Sequence, residues 1–180
     1  MSQQQTLEQD VFAKYPQQPH GGKLVNRVLT GTEREEALKK AKGLPTIMVD
    51  LEAVITLEMI ATGVLSPNEG FMKEDDYKSV LKTGRLANGL VWPVPLSFAP
   101  IGERNKSVVS TLSVGDEVAL VDTNVEPIAI MKIEDIFDYN KEERAQHLFG
   151  TTDRNHPGVD AIHRRMGDTA LGGPIQLLNR

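Results

Sequence analysis

The chain has 180 residues, 39% of them hydrophobic and 25% charged, with a formal net charge of -5 and no cysteine. This length and composition fit one folded domain and exclude global disorder, disulfides, thiolate metal sites and a cysteine nucleophile, while the acidic balance argues against a general nucleic-acid or membrane-surface binder. Because no apolar run reaches the ~20 residues of a membrane span and MSQQQTLEQD lacks the features of a secretory signal, we expect a cytoplasmic protein.

The N-terminal third begins with a polar segment. Residues 1–22 are rich in glutamine and end in YPQQPHGG, whose prolines and glycines disfavour regular structure, so we expect a flexible arm. The next segment, KLVNRVLTG, is short and apolar enough to be a strand. Thr32 and Glu35 then have capping-box spacing, which predicts a helix that ends at Gly43, and LPTIMVD is typical of a buried strand.

Capping residues and the helical spacing of apolar residues predict three further helices. They cover residues 56–63, a stretch that begins near Glu74, and residues 140–149, which Gly150 terminates.

Between residues 90 and 137 the apolar pattern changes to that of strands. The four segments LVWPVPLSF, VVSTLSV, DEVALVD and PIAIMKIEDIF follow one another at short intervals, and DTNVEP joins the last two as a hairpin connection. Short strands with brief links predict an α+β fold in which a compact, largely antiparallel barrel or sheet is surrounded by small helices.

The stretch FGTTDRNHPGVDAIHRR, residues 149–165, has the composition of an active site, with an acid, arginines, an amide and two histidines close together. His156 precedes Pro157, however, and the residue before a proline avoids helical geometry. We therefore predict that His156 caps a helix that starts at Pro157. His163 would then lie about 10 Å further along the helix axis, which is too far for both histidines to bind one zinc ion.

Two interpretations of this stretch are open. In the first, His156 and Asp153 are capping and turn residues without a chemical role. In the second, Thr151, Thr152 and the N-terminus of the helix form an anion site.

Other candidate sites have simpler explanations. Glu74–Asp76 and Glu134–Asp135 with Asp138 are candidates for a magnesium site, but acids in the first turn of a helix also complement its dipole. GRLANGL has two glycines at the interval of a phosphate-binding loop, with leucine where that loop needs lysine. Trp92 is predicted to be a core residue. From the residues alone, we assign no catalytic, cofactor-binding or metal-binding residue.

The chain ends in LGGPIQLLNR, an apolar, strand-like run. A free end of that kind would leave apolar surface uncovered. We therefore expect residues 169–180 to begin a further domain.

Five phrases occur in this order: PHGGKLVNR, TLEMIATGVLSPNEGFM, YKSVL with RLANGLVWPVPL, VGDEVALVD and FGTTDRNHPGV. As a set they resemble the N-terminal domain of sulfate adenylyltransferase, also called ATP sulfurylase, over about residues 19–178. The family's loop usually reads SPLxGFM, and Asn68 stands here where leucine is common.

The resemblance implies a PUA-like pseudo-barrel over residues 23–168, followed by the start of a catalytic domain over residues 169–180. It implies a whole enzyme that converts ATP and sulfate into adenosine 5′-phosphosulfate and pyrophosphate, with Mg²⁺ accompanying the nucleotide in the catalytic domain. The family's catalytic Q-x-R-N and H-x-x-H motifs are missing from this sequence. The chain alone is therefore expected to be inactive and to hold no cofactor itself.

The expected partners are the downstream catalytic domain and, for the whole enzyme, ATP and sulfate; a homo-oligomer is a further option. A membrane or nucleic acid is not expected. The alternative is a stand-alone PUA-like module that binds RNA or another protein, since PUA-like barrels often bind RNA. The acidic balance and the lack of an arginine–aromatic cluster in the sequence count against that alternative.

Overall fold

A sheet of six strands organises residues 18–179, which are the residues that the computed structural model describes. The strands are β1 (Thr46–Met48), β2 (Gly70–Phe71), β3 (Glu117–Val121), β4 (Pro127–Lys132), β5 (Asp135–Asp138) and β6 (Thr169–Leu177). The helices are α1 (Gly31–Ala41), α2 (Leu51–Ala61), α3 (Glu74–Thr83), α4 (Glu103–Val109), α5 (Lys141–Phe149) and α6 (Pro157–Arg165). Over this range, every helix is too short or too polar to cross a membrane.

The strands follow the order β1-β3-β4-β6-β2, and β5 also pairs with β6. β1 runs parallel to β3, and the other pairs are antiparallel. The β3–β4 hairpin predicted from DTNVEP is confirmed, with Asp122 Oδ1 accepting hydrogen bonds from the backbone N–H groups of Asn124 and Glu126 at 2.9 Å each. The mixed, curled sheet with helices around it confirms the predicted α+β class.

β6 is the central strand, and a glycine pair divides it. Its first half pairs with β5 and its second half with β4, while β2 pairs with Gly173 and Pro174 on the other edge. Gly173 has φ +147, and a Cβ atom there would overlap the carbonyl oxygen of Lys132. The backbones therefore approach closely where β4 bends into β5, which only glycine permits.

β3 and β4 are buried on both faces, which explains their continuous apolar sequences. On one face, Val118 and Leu120 pack with Leu57 and Ile60 of α2. On the other face, Ala119, Val121 and Ile130 pack with Ala41 at the end of α1. A further cluster joins α3, α5 and α6 through Tyr77, Phe137, Tyr139, Ala145 and Val159, and Trp92 is buried in it as predicted.

Three predicted strands are wrong or reduced. VVSTLSV was expected to be a strand, but its first residues end the helix α4, which packs against β1. LVWPVPLSF contributes one isolated bridge, between Arg85 and Val91, and KLVNRVLTG contributes one, between Val28 and Leu177. The helix predicted for residues 56–63 begins earlier, at Leu51, because the Asp50 side chain accepts a hydrogen bond from the N–H of Ala53.

The two predicted ends of the domain differ in outcome. Residues 169–180 were expected to begin a separate domain, but Thr169–Leu177 is the central strand, and Leu171, Ile175 and Leu177 are buried in its core. The apolar run is therefore covered within this fold. Of the arm predicted over residues 1–22, residues 1–17 lie outside the described residues, and His20 Nε2 lies 2.7 Å from the carbonyl oxygen of Val91.

Candidate functional site

The stretch 149–165 forms the corner between α5 and α6. His156 is the N-cap of α6, as predicted, and its Nδ1 accepts a hydrogen bond from the N–H of Gly158 at 3.2 Å. The imidazole also packs on the ring of Phe149, with 4.8 Å between the ring centroids. One ring nitrogen and one face of His156 thus serve the structure of the corner.

Asp153 and Thr151 shape the turn before α6. Asp153 Oδ1 accepts hydrogen bonds from the backbone N–H and the side-chain amide of Asn155, at 2.9 and 3.0 Å. The backbone N–H of Asp153 donates to Thr151 Oγ1 at 3.1 Å. These contacts are those of the turn and capping interpretation, while the anion site with Thr152 stays a prediction.

Each arginine of the corner pairs with a carboxylate of the same domain. Arg164 Nε lies 2.6 Å and Arg154 Nη2 3.8 Å from the two carboxylate oxygens of Asp160, and Arg165 pairs with Glu52 of α2. His163 Nε2 lies 3.7 Å from Glu142 Oε1 of α5. Surface pairs of this kind contribute about 0–1 kcal/mol each. Of these pairs, His163–Glu142 connects α6 with α5, and Arg165–Glu52 connects α6 with α2.

The first of the two acidic clusters also has structural partners. Asp135 Oδ2 accepts a hydrogen bond from the N–H of Glu74 at 2.8 Å, which caps α3. Asp76 Oδ1 accepts one from the N–H of Ala87 at 2.8 Å, and Glu74 pairs with Lys78 at 2.7 Å, which raises the pKa of that lysine.

The second cluster also has structural partners. Its Asp135 caps α3, and its Glu134 pairs with Lys73 at 3.6 Å. Within residues 18–179, no three His, Asp or Glu side chains are grouped as metal ligands.

A cavity of about 310 Å³, which no sequence pattern predicted, lies between β1, α2 and α4. Phe71 and Phe98 are stacked in its wall with their centroids 4.8 Å apart. Ile101 and Met166 line it as well, and the Glu52–Arg165 ion pair stands in the lining. Five separate segments contribute to these walls, so no local sequence pattern marks the cavity.

Asn105 fixes the side of the cavity formed by α4. It is buried, its Oδ1 accepts from the N–H of Met48 at 2.9 Å, and its Nδ2 donates to the carbonyl oxygens of Met48 and Ile101 at 2.8 and 3.0 Å. This one side chain therefore joins α4 to β1.

A buried cluster of one arginine and two tyrosines was also missed. Arg144 is 8% exposed, and its guanidinium carbon lies 6.0 and 5.9 Å from the ring centroids of Tyr77 and Tyr139. Burial raises the pKa of Tyr77 to about 12 and raises that of Tyr139 as well. The expectation that the chain lacks an arginine–aromatic cluster is thus wrong, but the cluster lies in the core, where it does not offer a surface to RNA.

The geometry of the corner and the cavity belongs to a fold with known relatives. A family model described as a PUA-like domain matches residues 17–180. The chain belongs to the PUA-like domain family.

Curated proteins named sulfate adenylyltransferase resemble this PUA-like domain over almost all of its length. Those of Symbiobacterium thermophilum and Persephonella marina are 41% identical over 162 residues and 43% identical over 163 residues. That of Aeropyrum pernix is 43% identical over 160 residues. The chain spans about 40% of the length of these relatives. The resemblance inferred from the five phrases is thereby confirmed.

A solved structure shows the same fold at lower identity. It is described as a hexameric APS kinase from Thiobacillus denitrificans, and its TM-score is 0.67 at 23% identity. The match covers 90% of the PUA-like domain chain and 27% of the other chain. At this identity the likeness supports the fold alone.

Proposed function

We propose that the chain is the non-catalytic PUA-like domain of a sulfate adenylyltransferase. The observation that carries the proposal is the coverage: relatives of that name match 90% of this chain, and the match accounts for only about 40% of their own length. The catalytic motifs expected for the family, Q-x-R-N and H-x-x-H, are missing from these 180 residues.

In the proposed whole enzyme, a sulfate oxygen attacks the α-phosphorus of ATP and forms a new P–O bond. The bond between the α-phosphorus and the bridging oxygen of the β-phosphate breaks, and pyrophosphate leaves. Mg²⁺ bound to the nucleotide would neutralise part of the phosphate charge. Catalysis of such a displacement depends on positioned cations and hydrogen-bond donors around the reacting phosphorus.

The charged groups of this chain support a structural role in that reaction. Arg154, Arg164 and Arg165 each pair with a carboxylate of the same domain, which supports a structural role for them. We infer that the domain packs against the catalytic domain and stiffens it, and that MgATP and sulfate bind to the polypeptide outside these 180 residues.

The proposal extends to assembly and location. The solved relative is described as hexameric, and on that precedent we propose that the whole protein forms a homo-oligomer. We also propose a cytoplasmic location, in keeping with the lack of cysteine.

The test compares the 180-residue chain with a longer protein in which it is joined to its downstream polypeptide. Each is incubated with MgATP and sulfate, and pyrophosphate release is measured. We expect turnover from the longer protein and none from the short chain. Turnover by the 180 residues alone, or a longer protein that uses neither ATP nor sulfate, would refute the proposal.

The same preparations examine the RNA-binding alternative. A filter-binding titration of structured RNA at low salt is expected to show no salt-sensitive, submicromolar binding. Such binding, together with an inactive longer protein, would favour the stand-alone module.

A further inference from the structure

An apolar surface lies beside the cavity described above and is exposed in the 180-residue chain; on α2, Leu51 and Ile55 flank the cavity-lining residues Asp50, Glu52 and Thr56 without lining the cavity themselves. Its members are Leu51 and Ile55 on α2, which are 74% and 49% exposed, and Ile101, which lines the cavity and is 44% exposed. We infer that this surface, called here the cavity face, is the docking site for the polypeptide that follows residue 180 in the whole protein, which inserts apolar side chains into the cavity. The inference rests on the proposed function.

The composition of α2 is the first argument. The helix reads LEAVITLEMIA, in which Glu52, Thr56 and Glu58 are polar and the other residues are apolar. Leu57, Ile60 and Ala61 are buried in the core, yet Leu51 and Ile55, one turn apart, point to solvent. A helix normally buries its apolar faces against other parts of a protein. The exposed side of α2 therefore lacks a cover that its sequence is suited to receive.

The chemistry of the cavity indicates what enters it. Several polar groups in its lining already have partners inside the domain: Asn105 bonds to Met48 and Ile101, Glu52 pairs with Arg165, and Asp50 accepts from Ala53. The stacked rings of Phe71 and Phe98 provide apolar wall. Such a cavity suits an apolar side chain better than a polar ligand, because a polar ligand would be desolvated without new hydrogen bonds.

The position at which the described chain ends is the third argument. The N–H groups of Leu178 and Asn179 donate to the carbonyl oxygen of Ile128, at 2.8 and 3.2 Å. Pro127, next to Ile128, pairs with Val121, and Val121 also pairs with Met48 at the end of β1. The carboxyl ends of β1, β3 and β6 therefore lie side by side, at the same end of the sheet.

The cavity face lies at that end of the sheet. Thr123 of the hairpin lines the cavity, and α2 starts at Leu51, three residues after β1. β6 is three strands from β1, a separation of about 15 Å at the usual strand spacing. Because an extended chain covers about 3.3 Å per residue, roughly five residues beyond 180 suffice to reach the start of α2. Arg34 fixes the position of the residues that follow β6, because its Nε donates to the carbonyl oxygen of Leu178 at 2.6 Å.

The size of the relatives completes the argument. This chain spans about 40% of their length, so most of each relative lies outside the matched part. A domain that follows residue 180 at this end of the sheet reaches the cavity face through a short connecting segment.

Thiol labelling of the longer protein tests the inference, because the 180 residues contain no cysteine. Leu51→Cys and Ile55→Cys are made singly, after replacing any cysteine of the downstream polypeptide. The matched control is Val114→Cys. Val114 is 64% exposed and precedes β3, at the opposite end of the sheet from the cavity face. The rate of maleimide labelling of each native variant is divided by its rate in urea.

We expect L51C and I55C to be labelled at least tenfold more slowly than V114C in the longer protein, at every protein concentration. Rates within twofold of the V114C rate would overturn the inference. Protection that disappears on dilution would overturn it as well, because a second copy would then be the occupant.

Turnover of ATP and sulfate by the same variants is measured in parallel. An active protein with unprotected thiols defeats the docking inference alone. Protected thiols in a protein that does not use ATP and sulfate defeat the proposed function alone.

Discussion

The guanidinium of Arg144 lies 5.9 Å from the ring centroid of Tyr139 in the core between α3, β5 and α5. Among the described residues, Nε and Nη1 of Arg144 have no hydrogen-bond partner, and Nη2 donates to the carbonyl oxygen of Pro95 at 3.4 Å. A cation between aromatic rings gains about 2 kcal/mol when desolvated, whereas burying the charge costs several kcal/mol. The arginine thus contributes packing more than electrostatic stability.

Arg144→Met tests this relationship. Methionine keeps most of the apolar stem and removes the buried charge, so we expect the free energy of unfolding to stay within about 1 kcal/mol of the original value or to rise. Arg144→Ala removes the stem too and is expected to lower it by about 2–4 kcal/mol, because it leaves a cavity. Urea denaturation of both variants gives the comparison. An equal loss of more than about 2 kcal/mol in both would show that the guanidinium itself stabilises the fold.

Gly173→Ala tests the close approach at the centre of β6. A Cβ atom at this position would overlap the carbonyl oxygen of Lys132 and lie 3.1 Å from the amide nitrogen of Glu134, and φ is +147. Because backbone must move to admit it, we expect a loss of at least about 3 kcal/mol in unfolding free energy.

Gly115→Ala is the matched control. Gly115 has φ +102, but no atom lies within 4 Å of the position that an alanine Cβ would take, so its variant should lose only the backbone cost, about 1–2 kcal/mol. If the two variants were equally stable in urea, the overlap at Gly173 would not matter.

The parts of this fold that the sequence predicts well are those fixed by local chemistry. The proline after His156 sets the start of α6, and the polar run DTNVEP sets the β3–β4 hairpin. At the candidate site, the same local logic identifies His156 and Asp153 as capping and turn residues.

The parts that were missed depend on contacts far apart in the chain. The β-branched residues of VVSTLSV favour a strand, but Asn105 anchors this region to β1 as a helix. The last strand looked like an uncovered end because its partners, β2, β4 and β5, lie about 30 to 100 residues earlier. The cavity and the Arg144 cluster are assembled from several segments in the same way, so composition and spacing alone do not reveal them.

Asn105→Ala tests the link between α4 and β1. The substitution removes three hydrogen bonds and leaves the N–H of Met48 and the carbonyl oxygens of Met48 and Ile101 without their partner. Unsatisfied buried groups cost about 1–3 kcal/mol each, and since water can reach part of this site we expect a total loss of about 2–4 kcal/mol.

The control for Asn105 is Ser107→Ala on the exposed side of the same helix, with an expected change below about 0.5 kcal/mol. Thermal or urea unfolding distinguishes the two. Comparable stability of N105A and S107A would mean that the side-chain bonds of Asn105 do not hold α4 in place.

Tyr77 predicts how stability depends on alkaline pH. Burial raises its pKa from the ordinary 10.0 to about 12 in the folded protein. The unfolded chain therefore releases this proton at a lower pH than the folded chain. The contribution of neutral Tyr77 to the free energy of unfolding is fully present below pH 10 and is lost as the pH rises towards 12. Tyr77→Phe removes this proton, and the free energy of unfolding of the variant should fall less between pH 10 and 12 than that of the original protein.

Urea unfolding of both proteins at several pH values in this window measures the difference. The lysines titrate in both proteins, so their effects cancel. Tyr139, whose pKa is also raised by burial, leaves a residual fall in the variant. Identical pH profiles for the two proteins would show that Tyr77 ionises as readily in the folded state as in the unfolded one.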